Sequence, residues 1–301
     1  MSRSIAVFGE MLWDLLPTGK QPGGAPMNVA IHLHNLGMGP ALISRVGEDD
    51  LGRELIQFVM TRGIETHWIQ RDPIQPTGTV NVNMDDAHEV SYEIVQPVAW
   101  DYIQPDQIAI EVVQKADILV YESLACRNEV SFETLKVLLS NAQVRVFDTN
   151  LRPPYYDKEL LEFLLKEADL LKINHHELEE VAAWLGEYPD MLSQMKAVKE
   201  AYQIGGVLTT RGANGAIFMD SNDRLTEHNG FKVEVEDTIG AGDSFLAAFL
   251  SKWSKGKAPA ECLEYACALG AMVAARRGAN PKITDENISL FIAQQDLASQ
   301  S

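Results

Sequence analysis

The chain has 301 residues, 46% hydrophobic and 23% charged, which reads as an ordinary soluble globular protein long enough for one large domain or two smaller ones. Its 43 acidic residues against 25 basic ones give a formal charge of −18, and the basic residues form no long cluster, so nucleic acid and anionic membrane surfaces are not expected partners. An anionic ligand of such a chain needs a local positive field or a metal ion, and every well-placed Arg becomes informative.

The first residues hold an apolar run too short for a secretion signal, followed at once by Glu10 and Asp14, and no segment approaches a membrane-spanning length. Cys126, Cys262 and Cys267 show no C-x-x-C spacing, so neither a disulfide framework nor a zinc site is expected, and a reduced cytoplasmic setting is. β-Branched runs at 5–9, 41–46, 118–121, 144–148, 170–174, 207–210 and 216–219 predict strands. Helical spacing predicts helices at 26–36, 51–62, 131–139, 158–168, 177–185 and 191–202, then a nearly all-helical last third at 242–253, 259–276 and 285–295. This alternation predicts an α/β fold with a mostly parallel sheet, helices on both faces, and ligands at the carboxyl ends of the strands. One segment breaks the rhythm: 77–84 and 89–95, joined by Asp85-Asp-Ala-His88, alternate with period two and no intervening helix. They predict either a flap that covers a substrate or an edge hairpin that serves as a dimer contact.

Candidate site residues follow in chain order. Asp14 suits vicinal hydroxyls, or is a solvated loop carboxylate. Gly23 and Gly24 permit close backbone approach before a helix whose Asn28 both gives and takes hydrogen bonds, which suits a polyhydroxylated ligand. Arg152 follows a buried strand and precedes two prolines. It is placed to neutralise a phosphoryl group or orient a substrate oxygen, or else it pairs with a surface acid. Asn174 and Glu177, three apart at a strand-to-helix junction, offer hard oxygens for Mg2+ through its water shell, or Glu177 is simply an acidic helix start. Thr210, Arg211 and Gly212 end a strand and line a nucleotide, or form a plain hairpin turn. No Walker or Rossmann glycine pattern is present. Finally, Gly240, Ala241 and Gly242 form a small-residue turn whose N–H groups can close on an anion, with Asp243 directly behind it at the start of a helix. The functional reading makes Asp243 the base that deprotonates an attacking hydroxyl; the plain reading is a glycine turn with an acidic cap.

Taken in order, these segments resemble the PfkB/ribokinase family of carbohydrate kinases over essentially the whole chain. The C-terminal signature is Asp237-Thr-Ile-Gly-Ala-Gly-Asp-Ser-Phe245, and the N-terminal one is Gly23-Gly-Ala-Pro-Met-Asn-Val-Ala30, continuing to His34-Asn-Leu-Gly37. The N-x-x-E element is Asn174-His-His-Glu177 and the T-x-G element Thr210-Arg-Gly212. Glu122-Ser-Leu-Ala125 and Asp148-Thr-Asn-Leu-Arg-Pro-Pro-Tyr155 make the chain most similar to the bacterial fructokinase branch. The resemblance implies a single domain over 1–301: a ribokinase-like three-layer α/β/α sandwich with a small β-sheet lid formed near 10–22 and 77–100, the lid also being where a homodimer contact would lie if the hairpin is an edge. It implies ATP and Mg2+, with K+ common in the family, and leaves both readings of the hairpin, substrate flap or dimer contact, open. Asp243, Gly240, Ala241, Gly242 and Arg152 would serve catalysis, and Asp14, Gly23, Gly24, Asn28, Asn150 and Arg152 would face the sugar. Asn174, Thr210, Arg211, Gly212, Gly240, Gly242 and Cys267 would face the nucleotide. Asn174 and Glu177 would serve Mg2+ through water and phosphate, and Asp237, Ile239 and Gly278 would hold K+. Two departures stand out: Cys267, where related sequences often carry Asn in the adenine pocket, and Asp148-Thr-Asn in place of D-P-N. The expected reaction is ATP-dependent phosphorylation of D-fructose to fructose 6-phosphate, with 2-keto-3-deoxygluconate as the alternative substrate. A nucleoside kinase fits the polar set Asp14, Asn28 and Arg152 less well, and a non-catalytic sugar sensor does not account for the intact Gly240, Gly242 and Asp243.

Overall fold

The computed structural model describes residues 4–17, 19–84 and 90–299. The chain opens with β1 (Ile5–Phe8), which sends Ile5 and Val7 into one core and Ala6 and Phe8 into the other, as the period-two geometry of a strand requires. It continues through β2 (Leu12–Leu16), β3 (Gly19–Gly23), α1 (Ala25–Asn35), β4 (Ala41–Gly47), α2 (Asp50–Thr61), β5 (Ile69–Asp72), β6 (Gly78–Met84) and β7 (Val90–Ile94). The middle runs through α3 (Gln107–Lys115), β8 (Ile118–Glu122), α4 (Glu129–Leu139), β9 (Arg145–Asp148), α5 (Lys158–Lys166), β10 (Leu170–Asn174), α6 (His175–Ala183) and α7 (Met191–Tyr202). The last part holds β11 (Gly206–Thr210), β12 (Ala216–Met219), β13 (Leu225–His228), α8 (Ala241–Trp253), α9 (Pro259–Ala274) and α10 (Asp285–Ser299).

The large sheet has nine strands in the order β13-β12-β11-β10-β9-β8-β1-β4-β5. Its pairings are parallel except β11–β12 and β12–β13 at one edge. Residues of α1, α2, α8, α9 and α10 build the core on one face, and residues of α3 to α7 build the core on the other. The result is a three-layer α/β/α sandwich with a mostly parallel central sheet, as expected. Helix starts are locally encoded: the side chains of Asp49, Asp106, Asn128, Asp157 and Asp190 each accept a first-turn N–H, a cap that contributes about 1 kcal/mol. Pro26 and Pro259 occupy first-turn positions, where a missing N–H costs nothing.

A second sheet of four strands, β3-β2-β6-β7, stands apart from the first. The expected hairpin is its β6–β7 antiparallel pair; the turn 85–88 and Glu89 lie outside the described residues. β2 joins it by a parallel pairing with β6 and an antiparallel one with β3, so segments far apart in sequence share one sheet. β3 is Gly-Lys-Gln-Pro-Gly, which carries no apolar alternation to announce a strand. α3, the short β5 and β13 were likewise not among the expected elements.

Within the large sheet, β1 is flanked by β4 on one side and β8 on the other, so the strand order reverses there. A crevice opens at such a reversal beyond the carboxyl ends of the strands. Glu122, Asp148, Asn174 and Thr210 are the last residues of β8, β9, β10 and β11, and Glu10 follows β1.

Candidate active site

The turn before α8 forms the anion nest that its composition suggests. Gly240 is the N-cap residue with φ 76°, and a Cβ there would lie 2.6 Å from the Cβ of Ala279, so both conformation and space call for glycine. Ala241, Gly242 and Asp243 are the first three helical residues; the N–H groups of Gly242 and Asp243 belong to the unpaired set at the helix start, whereas that of Ala241, expected in the nest, donates to the Thr238 carbonyl at 3.2 Å and closes the turn instead. The Asp243 carboxylate accepts a bond of 2.8 Å from the side-chain amide of Asn28, and Asn28 in turn accepts one of 2.7 Å from Asn280. Two motifs 215 residues apart thus meet at one carboxylate.

Beside the nest lies a buried cation with no assigned role in the sequence. The Lys172 ammonium bonds both oxygens of Asp148 at 2.8 Å, and a Cβ on Gly242 would come within 3.2 Å of its Nζ. Burial works against that ammonium, but Asp148, Glu177 and Asp243 outweigh it and push its pKa up to about 12. One oxygen each from Glu122, Asp148 and Asp243 lie within 4.8 Å of one another. Burial drives Glu122 well above the usual carboxylate range, aided by Glu10, Asp148 and Asp243. It also raises Glu10 to about 7 against the pull of Arg152. Glu10, Glu122, Asp148 and Lys172 were missed as site residues; the legible signal was a lysine and an acid in strands that are otherwise apolar.

On the opposite side of Asp243 are the residues expected to face a sugar. Gly24 caps α1 at φ 107°, where a Cβ would sit 2.5 Å from the Glu10 carbonyl, and a Cβ on Gly23 would strike Asp14. Asp14 lies in β2, half-buried, where burial lifts its pKa to about 6 and Arg152 opposes the rise, so it is no solvated loop carboxylate. Arg152 is exposed and donates to the Leu151 carbonyl at 3.1 Å. It forms no ion pair among the described residues. Asn150, at φ 35°, donates to Glu122 at 2.6 Å and so couples this loop to the buried acids. The loop is tied to the small sheet as well, since the Tyr155 hydroxyl donates to the Ile94 carbonyl at 2.8 Å.

A cavity of about 600 Å3 opens on the other flank of the nest, lined by Thr210, Gly212, Phe231, Gly242, Phe245 and Cys267 among others. Burial pushes the Cys267 thiol up to about 12. Three residues expected on the nucleotide side, Asn174, Arg211 and Gly240, are not in its wall; Gly240 packs against Ala279 instead. Arg211 turns away to pair with Glu227 at 2.6 Å and lines a separate polar pocket of about 320 Å3, because the sheet edge at β13 offers it an acid. Asn174 caps α6, its side-chain oxygen accepting from the N–H groups of His176 and Glu177 at 3.0 Å. Glu177 completes that capping box and also accepts from Thr149 at 2.5 Å and Leu151 at 2.9 Å. With its oxygens engaged, Glu177 anchors the Arg152 loop, and direct coordination of a metal does not fit it. The oxygen donors of Glu122, Asp148 and Asp243 suit a hard divalent cation better, although the Lys172 ammonium already sits on Asp148. The expected K+ residues do come together: Asp237 accepts from the N–H of Ile239 at 3.0 Å and of Gly278 at 3.1 Å.

Residues 7–286 match the family described as pfkB family carbohydrate kinase, and the chain belongs to that family. A fructokinase of Vibrio alginolyticus is 29% identical, the alignment covering 96% of this chain and 98% of the relative. A fructokinase of Xylella fastidiosa with bound ATP superposes with a TM-score of 0.84 at 23% identity, over 98% of this chain and all of that one, and shows the fold. An uncharacterized sugar kinase of Pyrococcus horikoshii in complex with ATP superposes with a TM-score of 0.83 at 27% identity, over 97% of this chain and 99% of that one.

Proposed function

We propose, for this member of the pfkB carbohydrate kinases, ATP-dependent transfer of a phosphoryl group to a primary hydroxyl of D-fructose, giving fructose 6-phosphate. The observation that carries this reading is the placement of Asp243: one carboxylate at the edge of an anion nest, bonded to Asn28 of the polar set on one side and flanked by an apolar cavity on the other. The relatives named as fructokinases support the choice of sugar, and the ATP-bound solved relative at 27% identity supports the nucleotide.

In this reading the sugar lies among Asp14, Gly23, Gly24, Asn28, Asn150 and Arg152, while the cavity beside Thr210, Gly212 and Cys267 takes the nucleoside. Asp243 accepts the hydroxyl proton as the oxygen–phosphorus bond forms and the bond to the leaving ADP breaks. The N–H groups of Gly240 and Gly242 and the Lys172 ammonium face the charge that builds on the transferred group, and Arg152 closes on it from the sugar side. Mg2+ entering with ATP would supply charge neutralisation, held by Glu122 and through water by Asp148, Asn174 and Glu177. Asp237, Ile239 and Gly278 would hold K+ beneath the nest. The four-stranded sheet acts as the lid of a single domain, excludes water from the transferring group and offers a surface for a second copy. Three buried free cysteines suit a reducing, cytoplasmic setting.

The test is a panel scored for ADP release, with fructose, 2-keto-3-deoxygluconate and a nucleoside as acceptors. Fructose should turn over fastest, and Asp243→Ala should lower its kcat by about 10²–10⁴-fold while sugar binding persists. Faster turnover of the keto acid would replace the sugar assignment, and retained turnover in Asp243→Ala would remove Asp243 as the base.

A further inference from the structure

Asn28 and His32 lie four apart on α1 and therefore share a face, and that face meets the segment at Ala279 and Asn280. The Ala279 carbonyl can only accept, so the His32 Nε2–H donates to it at 2.8 Å. Arg62, the residue that caps the end of α2, donates to the Asn280 carbonyl at 2.6 Å, which fixes the backbone of residue 280 from the other side. The same segment presses on the nest through Ala279 and Gly240. Asn28 is 4% exposed and Asn280 is 8% exposed, so neither amide can turn to water for a partner.

Chemistry sets the direction of the chain of bonds. An ionised Asp243 carboxylate only accepts, so Asn28 must point its NH2 at it, at 2.8 Å. That choice leaves only the Asn28 carbonyl for residue 280, and residue 280 must then be a donor, as the 2.7 Å bond from Asn280 Nδ2 satisfies. Among the described residues the carbonyl oxygen of the Asn280 side chain finds no hydrogen-bond partner, and the bond to Asn28 is the one its amide makes. Turning the Asn280 amide over would set two carbonyl oxygens against each other, and relief would come from turning Asn28 as well, which would aim its carbonyl at the Asp243 carboxylate.

We propose that Asn280 is a positioning residue for phosphoryl transfer: by donating to the Asn28 carbonyl it locks the Asn28 amide with its NH2 toward Asp243, and so holds that carboxylate in one orientation toward the acceptor hydroxyl. The inference rests on the kinase reading for the role of Asp243, but the directional relay is a property of the fold by itself. Asn280 touches no substrate in this scheme and acts only through Asn28.

The test combines a kinetic cycle with a spectrum. Asn280→Leu is nearly isosteric and removes the donor, and Asn280→Asp keeps the shape and offers only acceptors. Both should lower kcat about tenfold or more, with KM for sugar and ATP within about twofold. In an Asn28→Ala background, Asn280→Leu should change kcat no further, because the element it acts through is gone. Wild-type kcat in Asn280→Leu, or the same fractional loss with and without Asn28, would overturn the relay. Side-chain amide signals in ¹H–¹⁵N spectra separate this from the kinase reading: the Asn28 NH2 signal, assigned by its loss in Asn28→Ala, should move both in Asp243→Asn and in Asn280→Leu. A chain that turned over no acceptor but showed both movements would remove the kinase reading and keep the relay. An Asn28 signal indifferent to Asn280→Leu would remove the relay whatever the activity.

Discussion

Around the first turn of α8 the protein buries Glu10, Glu122 and Asp148 with Lys172, whereas the cavity on the other flank of the same turn is walled by Phe231, Val235, Phe245, Cys267 and Ala274. The charged side is held by direct pairings such as Lys172 with Asp148 and Asn150 with Glu122. Each of those groups, once buried, is costly to leave alone. The apolar side depends on volume and shape, which tolerate change in smaller steps. Substitutions on the two sides should therefore differ in kind: loss of chemistry and stability on one, graded loss of nucleotide affinity on the other.

The largest effect should come from Lys172→Met. It leaves Asp148 buried without its partner, which costs about 3–5 kcal/mol, and it removes the ammonium beside Gly242. Urea unfolding should show the stability loss and single-turnover assays a fall in phosphoryl transfer beyond it; wild-type values of both would mean the charged side is not organised by this pair. Next, Gly240→Ala should lower kcat by about 10–100-fold, because a Cβ meets Ala279 and φ 76° strains any other residue by about 1–3 kcal/mol. Steady-state kinetics against a melting control would separate that from unfolding.

On the cavity side, Cys267→Phe should raise KM for ATP about tenfold, roughly 1.4 kcal/mol, while kcat and the sugar KM hold. An equal loss on both substrates would erase the contrast between the two flanks. A further contrast is a pH slope. Glu10 holds its proton up to about pH 7 in the folded chain instead of the ordinary 4.5, so the folded state binds more protons between those values. Stability should therefore fall as pH rises from about 4.5 to about 7, and Glu10→Gln should flatten that part of the urea-midpoint profile.

Much of the α/β rhythm was legible because it rests on local rules. Continuous apolar runs mark β1 and β8, which are buried on both faces, and an Asp or Asn sits where several helices start. α3 escaped notice because Ile108-Ala-Ile-Glu-Val-Val113 is rich in β-branched residues, and only the Asp106 cap and the burial of Ala109 and Val113 on one face make it helical. β3 escaped because its place in the small sheet is given by β2, not by its own composition. In the site, Asp243 and the glycine turn were readable as a unit, since a nest needs only consecutive residues. Arg211 misled because adjacency to Thr210 and Gly212 says nothing about which way a long side chain turns, and Glu227 decided that.

By itself the sequence determined the layers of the fold, the helix starts, the nest at 240–242 and the carboxylate behind it, because each depends on neighbours within a turn or two. Only the tertiary structure decided that Lys172 stands behind Gly242, that Glu177 serves the Arg152 loop, and that Asn280 reaches Asp243 through Asn28. Those outcomes depend on which buried donors and acceptors from distant strands come within hydrogen-bonding distance, and burial forces each of them to find a partner that no local pattern names.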